Sequence, residues 1–311
     1  MVAFMQHDLM VEASDGEAIP VSVVHPPTPS LGWIHITHGM GEHRRRYEYL
    51  IHRLVVAGYC VSIHDHRGHG TSAATLGDFG PEGWSRLIQD LEEVLLSVQT
   101  AIASDAMMLI GHSMGALVSQ HWLGQRLTSQ LPLRGAVLSG HPGQIPANLA
   151  KLLRWLIRLE RKRLGGEAVS PLLRYLVFGQ ANRRFRKEPP GSGYEWLSKD
   201  IAAVQDYADD PHCGHFLTND SFDSMVVAEL EFWAHSLPLA SESPLPVYFI
   251  AGGQDPLHDS LKRLQPVMQA FNDGHWQSSA DVYPTGRHEM FHAPERDAVI
   301  DKLLEILKGW N

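Results

Sequence analysis

The stretch Met107-Met108-Leu109-Ile110-Gly111-His112-Ser113-Met114-Gly115 decides how the rest of the chain is read. Four apolar residues with the character of a buried strand run directly into Gly-x-Ser-x-Gly, and a helical pattern follows over Ala116–Leu127. A serine between a strand and a helix sits on a sharp turn, where side chains two positions either side would collide as the backbone doubles back. That turn sets the hydroxyl at a helix N-terminus and aims the Met114 N–H at a developing oxyanion. Three fixed positions in five recur by chance in many proteins. The strand before and the helix after separate this one from chance and make Ser113 the candidate nucleophile.

A serine hydroxyl needs a base, and the base needs an acid to orient it. On a strand-turn-helix scaffold of this kind they follow in the order Ser, acid, His. The apolar run Val247–Ala251 ends in Gly252-Gly253-Gln254-Asp255-Pro256, so Asp255 stands on a turn just beyond a strand. Val282-Tyr283 ends at Pro284-Thr285-Gly286-Arg287-His288-Glu289, which places His288 in the loop before the last helical segment. Taken alone, Asp255 could merely cap a helix starting near Leu257, and His288 could be an ordinary loop residue. Their order, each after its own strand, selects them as acid and base. The competitors fit less well: Asp259 reads as inside or capping a helix, Asp281 as opening a strand, and His292 as lying a turn too far. A second oxyanion donor belongs after an early strand. Trp33–Thr37 runs into His38-Gly39-Met40-Gly41, whose glycines allow close approach, and the Met40 N–H takes that role.

Further strands are predicted at Ala18–His25 after an Asp15-Gly16 hairpin turn, and at Gly32–Thr37, Cys60–His64, Gly135–Ser139 and Ala280–Tyr283. Helices are predicted at Arg45–Ala57, Glu82–Ala103, Asp259–Asn272 and Pro294–Lys308. The alternation implies a mostly parallel eight-stranded sheet with helices on both faces. It stops over 140–244, which reads as a cap inserted into a core of 1–139 and 245–311, roofing the carboxyl ends of the strands.

The chain has 311 residues, with 44% apolar, 20% charged and a net charge of −9. That is enough to bury a full core, and the charge excludes a general nucleic-acid binder. Two cysteines suggest no disulfide framework, and Cys60 reads as a small buried hydrophobe. Residues 1–30 lack a signal-peptide pattern, and no apolar run approaches the ~20 residues of a membrane span. A soluble cytoplasmic protein is the expectation.

His38-Gly39-Met40-Gly41-Glu42-His43 with Arg46-Tyr47, Asp65-His66-Arg67-Gly68-His69-Gly70-Thr71-Ser72, the serine pentapeptide, Gly252–Pro256 and Gly286-x-His288-Glu289 together resemble the monoacylglycerol lipase and lysophospholipase branch of the α/β-hydrolases. The resemblance spans about 32–120 and 245–310 and touches the cap at Asp210-Pro211-x-Cys213-Gly214. It implies an α/β-hydrolase fold and an ester hydrolase for single-chain acyl lipids, working without cofactor. By motif it places Glu42 and Arg46 in the alcohol-side pocket. Ala116 departs from the further glycine of many relatives, at little cost in space. A peptidase of the proline-iminopeptidase kind shares fold and triad but needs acidic cap residues to hold a free amino terminus. A non-catalytic binding protein on this scaffold would normally lack a triad member.

Two weaker signals remain. His64-Asp65-His66 with His69 looks superficially like a metal cluster, but it lacks the H-x-H-x-D-H order and falls in the family's D-x-R-G-x-G loop, so no metal site is expected. His35 and His112 read as packed core histidines. Lys151–Glu188 holds eleven Lys or Arg against three Asp or Glu, so it is +8 while the rest of the chain totals −17. Lys151, Arg154, Arg158, Arg161 and Lys162 share one helical face, with Leu149, Leu152, Leu153, Leu156 and Leu159 on the opposite arc. Such a face is either simply solvated or suited to peripheral contact with an anionic membrane.

Overall fold

Apolar runs of five to seven residues are buried on both faces once they pair, so they fill the middle of a sheet. A computed structural model of the chain describes residues 4–28, 30–102, 104–125, 131–234, 244–259 and 261–310. Met5–Glu12 (β1) and Ala18–His25 (β2) form the hairpin predicted at Asp15-Gly16. Trp33–Thr37 (β3), Cys60–His64 (β4), Met107–His112 (β5), Leu133–Ser139 (β6), Pro246–Gly252 (β7) and Gln277–Tyr283 (β8) follow. They build one eight-stranded sheet in the order β1-β2-β4-β3-β5-β6-β7-β8. The β1–β2 and β2–β4 pairs are antiparallel and every other pair is parallel. β3, β4 and β5 are buried at every position.

The helices are Glu48–Val56 (α1), Trp84–Ile102 (α2), Met114–Gln125 (α3), Ala147–Leu164 (α4), Pro171–Arg174 (α5), Gln180–Asn182 (α6), Ile201–Asp209 (α7), Asn219–Ala234 (α8), Leu264–Asp273 (α9) and Arg296–Lys308 (α10). α1 and α10 cover one face of the sheet, while α2, α3 and α9 cover the other. In α10, Val299, Ile300, Leu303 and Leu307 are fully buried at helical spacing. At roughly 1.5–3 kcal/mol per buried side chain, that stripe suffices to hold the helix on the sheet. α4 to α8 all lie between β6 and β7, the stretch where strand alternation stops.

Three helix starts shift by two residues from the sequence reading, α2, α3 and α10, and two others differ in kind. The helix predicted from Arg45 opens as a single 3₁₀ turn, Arg44–Tyr47, before α1. The helix predicted from Asp259 begins only at Leu264, because Asp259 (φ +46°) and Leu261 (φ +71°) adopt left-handed backbone that no helix interior accepts. The predicted helix ends at Ala103 and Leu127, and residues 235–243 of the predicted insertion, lie outside the described residues.

The core holds an unusual load of histidine. His35, His38, His64, His66, His69, His112 and His141 are all buried. Burial lowers each pKa, to about 3 for His35 and about 4 for His112 and His141, and well below the ordinary value for His64, His66 and His69. His38 is lowered too, burial outweighing its acidic neighbours. Below pH ~6.5 the unfolded chain therefore binds protons that the native chain refuses, so stability falls with pH, by up to about 1.4 kcal/mol per pH unit for each such group. Urea midpoints measured from pH 7 to 5 should drop steeply, with several protons taken up on unfolding at pH 5.5. A flat profile over that range would contradict the neutral, buried state of these rings.

Candidate active site

Ser113 occupies the single turn between β5 and α3 and adopts φ +52°, the left-handed backbone expected of the elbow. The glycines have the predicted cause. A Cβ on Gly111 would come within 2.7 Å of the Gly115 carbonyl and the Ser119 hydroxyl, and one on Gly115 would overlap the carbonyls of Thr37 and His38. The Ser113 N–H donates to the Ser139 carbonyl at the end of β6 (3.0 Å), which fixes the tip.

Asp255 and His288 arrive from the loops after β7 and β8. His288 Nε2 lies 2.8 Å from Ser113 Oγ, and His288 Nδ1 lies 2.7 Å from Asp255 Oδ2. Asp255 is buried, and its other oxygen accepts the Leu257 N–H (2.9 Å), so it caps a local turn as well as facing the imidazole. Burial alone would lower the pKa of His288, but the charge and hydrogen bond of Asp255 outweigh it and raise the pKa above the ordinary value. Burial likewise pushes Asp255 up, and the charge and hydrogen bond of His288 bring its carboxyl below the ordinary value. An imidazole held between a carboxylate and a hydroxyl can take the hydroxyl proton as the oxygen attacks.

The competing residues are engaged elsewhere. Asp281 lies within β8, and its Oδ2 accepts the Tyr248 hydroxyl (2.6 Å). His292 ends a 3₁₀ turn and bonds through Nε2 to the Arg46 carbonyl (2.9 Å). Met40 and Met114 line the same pocket as Ser113, and neither backbone N–H donates to an acceptor among the described residues. Two free donors beside one hydroxyl can receive an oxyanion.

Glu42 and Arg46 do come together, and a third residue, Glu289, joins them. Arg46 binds Glu289 in bidentate fashion (2.7 and 2.9 Å) and Glu42 Oε2 at 2.5 Å. Glu42 Oε1 also accepts the Gly39 N–H (2.5 Å) and the Tyr47 hydroxyl (2.9 Å). Although burial opposes ionisation, Arg46 lowers the Glu42 pKa to about 2 and pulls Glu289 down as well. In the sequence Glu289 stands out only as the neighbour of His288, and nothing local marks it as the partner of an arginine 243 positions away.

Ser113 opens into a cavity of about 490 Å³ whose walls are mostly apolar, among them Leu117, Leu149, Leu156, Phe178 and Val226. α4 and the segments after it supply much of that wall. The segment between β6 and β7 also grips the loop after β8 through its backbone: the His288 and Glu289 N–H groups donate to the carbonyls of Trp196 and Leu197. The Trp196 ring stacks obliquely on His288, centroids 4.8 Å apart.

The Hydrolase_4 family, described as serine aminopeptidase, S33, matches residues 28–295. The chain belongs to that family. Among curated relatives it is 32% identical over 108 residues to the monoglyceride lipase homolog of Monkeypox virus, covering 34% of this chain and 37% of that one. It is 33% identical over 106 residues to phospholipase YtpA of Bacillus subtilis (strain 168), covering 33% and 38%. The matched stretches span between 11% and 42% of the curated relatives' own lengths. A thermostable carboxyl esterase from Bacillus coagulans, solved with glycerol, superposes over 98% of both chains with a TM-score of 0.84 and 25% identity. The α/β-hydrolase fold inferred from the motifs is therefore sound, and the motif resemblance to the monoacylglycerol lipase and lysophospholipase branch agrees with these relatives.

The histidines around Asp65 do not converge as ligands: His64 bonds to His35 and His66, and His66 to the His38 carbonyl. Among the described residues one other group gathers three metal-type donors, His43, Asp210 and Cys213. There His43 Nε2 donates to Asp210 Oδ2 (2.8 Å), which accounts for the approach.

Arg46 offers a direct check on this electrostatic core. Replacing it with Met strands two buried carboxylates and should cost about 3–5 kcal/mol in chemical denaturation, whereas Arg53→Met, in an exposed pair with Asp297 and Asp301, should cost under about 1. Equal costs would mean that the Arg46 cluster is solvated rather than buried.

Proposed function

We propose that this protein is a carboxylic-ester hydrolase for single-chain acyl lipids of the monoacylglycerol or lysophospholipid type. The 2.8 Å and 2.7 Å contacts linking Ser113, His288 and Asp255 at the floor of an apolar cavity carry the reading. Ser113 Oγ attacks the acyl carbon while His288 Nε2 takes its proton, and the Met40 and Met114 N–H groups receive the oxyanion. His288 then protonates the departing alcohol, leaving an acyl-serine. Water, deprotonated by His288, releases the fatty acid and restores the hydroxyl. Asp255 holds the imidazole tautomer and stabilises the imidazolium. No cofactor enters these steps. Residues 140–244 act as a cap on a core of 1–139 and 245–311, with the acyl chain along the leucine-rich wall and the alcohol toward Glu42, Arg46 and Glu289.

An aminopeptidase, as in the family's description, needs a free carboxylate to bind the substrate's ammonium group. Glu42 and Glu289 line the cavity, but both are bound to Arg46, which favours the neutral alcohol of an ester. A panel of monoacylglycerols, lysophospholipids and aminoacyl anilides separates these readings.

A fluorophosphonate should label Ser113 alone, and Ser113→Ala should abolish both labelling and ester hydrolysis. Asp255→Asn should lower kcat by about 10⁴ by favouring the wrong tautomer, while Asp281→Asn should be mild. Because the His288 pKa is raised, kcat/KM should fall as pH drops through a value above 6.5. Labelling at another serine, or a severe Asp281→Asn, would overturn the assignment.

The basic face of α4 supports peripheral contact with anionic membranes in a narrower form than the sequence implied. Arg154 and Arg161 pair with Asp223 and Asp220 of α8, so only Lys151, Arg158 and Lys162 remain exposed without an ion pair among the described residues. Trp155 shares their stripe and is 56% exposed, Leu159 is exposed beside it, and Leu149 and Leu152, which also line the cavity, are exposed at its rim. Among the described residues no helix is long and apolar enough to cross a membrane. At about 1 kcal/mol per cation, changing Lys151, Arg158 and Lys162 to Gln should weaken binding to anionic vesicles by about two orders of magnitude at low salt. Changing Arg154 and Arg161 should weaken it far less. Indifference of the wild type to such vesicles would leave α4 a solvated helix.

A further inference from the structure

Beneath the loop that carries Met40 runs a column of four histidines, buried to 2% exposure or less, that the mechanism above does not use. Its proton order can be read from its fixed ends. The His66 backbone N–H donates to His38 Nε2 (3.0 Å), so His38 carries its proton on Nδ1 and donates it to the Gly39 carbonyl (2.8 Å). His66 Nε2 faces the His38 carbonyl (3.2 Å), so it must be the donor there, which leaves Nδ1 to accept from His64 Nε2 (3.1 Å). His64 Nδ1 then accepts from His35 Nε2 (2.9 Å), and His35 Nδ1 from the Ser62 hydroxyl (2.7 Å). Trp33 Nε1 closes the column by donating to Ser62 Oγ (2.6 Å). Every tautomer is determined, and an added proton on these paired rings would set two N–H groups face to face. Asp65 stands 3.9 Å from His38 Nε2, but its oxygens are held by the Arg44 N–H and guanidinium.

The column ends on two peptide planes. The His38–Gly39 plane is gripped at both sides, its carbonyl by His66 and its N–H by Glu42. Among the described residues the Gly39–Met40 plane is held by its carbonyl alone, through His38. In a trans peptide the N–H points opposite the carbonyl, so holding the Gly39 oxygen fixes the direction of the Met40 N–H. A flip of that plane would need only this one bond to break, and Gly39, with no Cβ to resist, lies against Ser113.

We infer that His38 and His66 are positioning residues for the oxyanion hole, holding the Gly39–Met40 peptide so that the Met40 N–H faces the pocket that Ser113 lines. This rests on the ester-hydrolase reading. The assignment predicts a defect in transition-state binding rather than in substrate binding. Losing an oxyanion donor outright costs 10²–10³ in rate, so a misdirected one should cost up to about 10².

Four variants and one spectrum test it. His38→Leu and His66→Leu should lower kcat by about 10- to 100-fold, with KM within about twofold and the pH midpoint of kcat/KM unmoved. His38→Asn and His66→Gln, which restore an N–H at the same place, should stay within several-fold of wild type. Nitrogen-15 spectra of the wild type at pH 7 should show His38 as the Nδ1–H tautomer and His35, His64 and His66 as Nε2–H tautomers. The inference fails if the folded Leu variants keep wild-type kcat, if the loss appears in KM alone, or if the amide variants fall as far as the Leu variants. It fails equally if His38 is charged or carries its proton on Nε2, a measurement that stands even where a Leu variant does not fold. A wild type that hydrolyses no ester would instead overturn the ester-hydrolase reading, with the tautomers still deciding whether the clamp exists.

Discussion

Gly115 sits where the first turn of α3 presses against the ends of β3, with the carbonyls of Thr37 and His38 in the space a side chain would fill. That contact sets the distance between the Ser113 turn and the loop carrying Met40, and much of the site follows from it. A methyl group at residue 115 would force the two apart, whatever the chemistry of Ser113. Gly111 meets the same helix from the other side, so the serine is pinned between two backbone contacts and held at positive φ. Strain of this kind costs of order 1–3 kcal/mol and persists only where the surroundings over-determine it. Here they are the buried strands β3 and β5, paired in register from Trp33 to Thr37.

Charge is arranged around that contact on one principle: a buried ion keeps its partner, and a buried histidine without an acid stays neutral. Arg46 holds two carboxylates, and Asp255 holds His288. The remaining buried imidazoles near the site bond mainly to other imidazoles, hydroxyls and backbone groups, and where a carboxylate stands close by, as Asp65 does to His38 (3.9 Å) and Asp255 to His258 (3.8 Å), desolvation outweighs it and the pKa still falls. His288 is therefore the ring near Ser113 whose pKa is raised, while that of its neighbour His112, ring centroid 5.0 Å away, drops to about 4. Two histidines side by side thus differ in proton affinity because only one faces a carboxylate.

How much of this the sequence made legible depended on whether the signal was local. The central strands were readable because parallel strands buried on both faces are uniformly apolar; Cys60–His64 was predicted to the residue. That Ser113, Asp255 and His288 come together was readable because each lies within five residues of a strand end. α9 was misplaced because left-handed backbone at Asp259 and Leu261 leaves no trace in hydrophobic periodicity. The leucines of α4 were assigned their arc correctly, but an amphipathic pattern cannot tell a core from a pocket mouth, and several stand exposed beside the cavity. Glu289 was missed because its role depends on Arg46, which only the fold brings near.

The insertion illustrates the deepest limit of sequence reading. Its grip on the catalytic loops is largely backbone: Gly214 N–H to the Gly41 carbonyl, His288 and Glu289 N–H to the carbonyls of Trp196 and Leu197. Arg287 adds a side chain that donates to the carbonyls of Glu195 and Ser198 (2.6 and 2.9 Å). Backbone groups are the same at every position, so no residue pattern announces these bonds, yet they tie the segment between β6 and β7 to the loop carrying Met40 on one side and to His288 on the other. A displacement of residues 195–198 would break the bonds that seat His288 and Glu289 together. The segment between β6 and β7 is thus part of the frame that holds His288 as well as the wall of the cavity, and changes in its lining that spare those backbone bonds leave the geometry around Ser113 undisturbed.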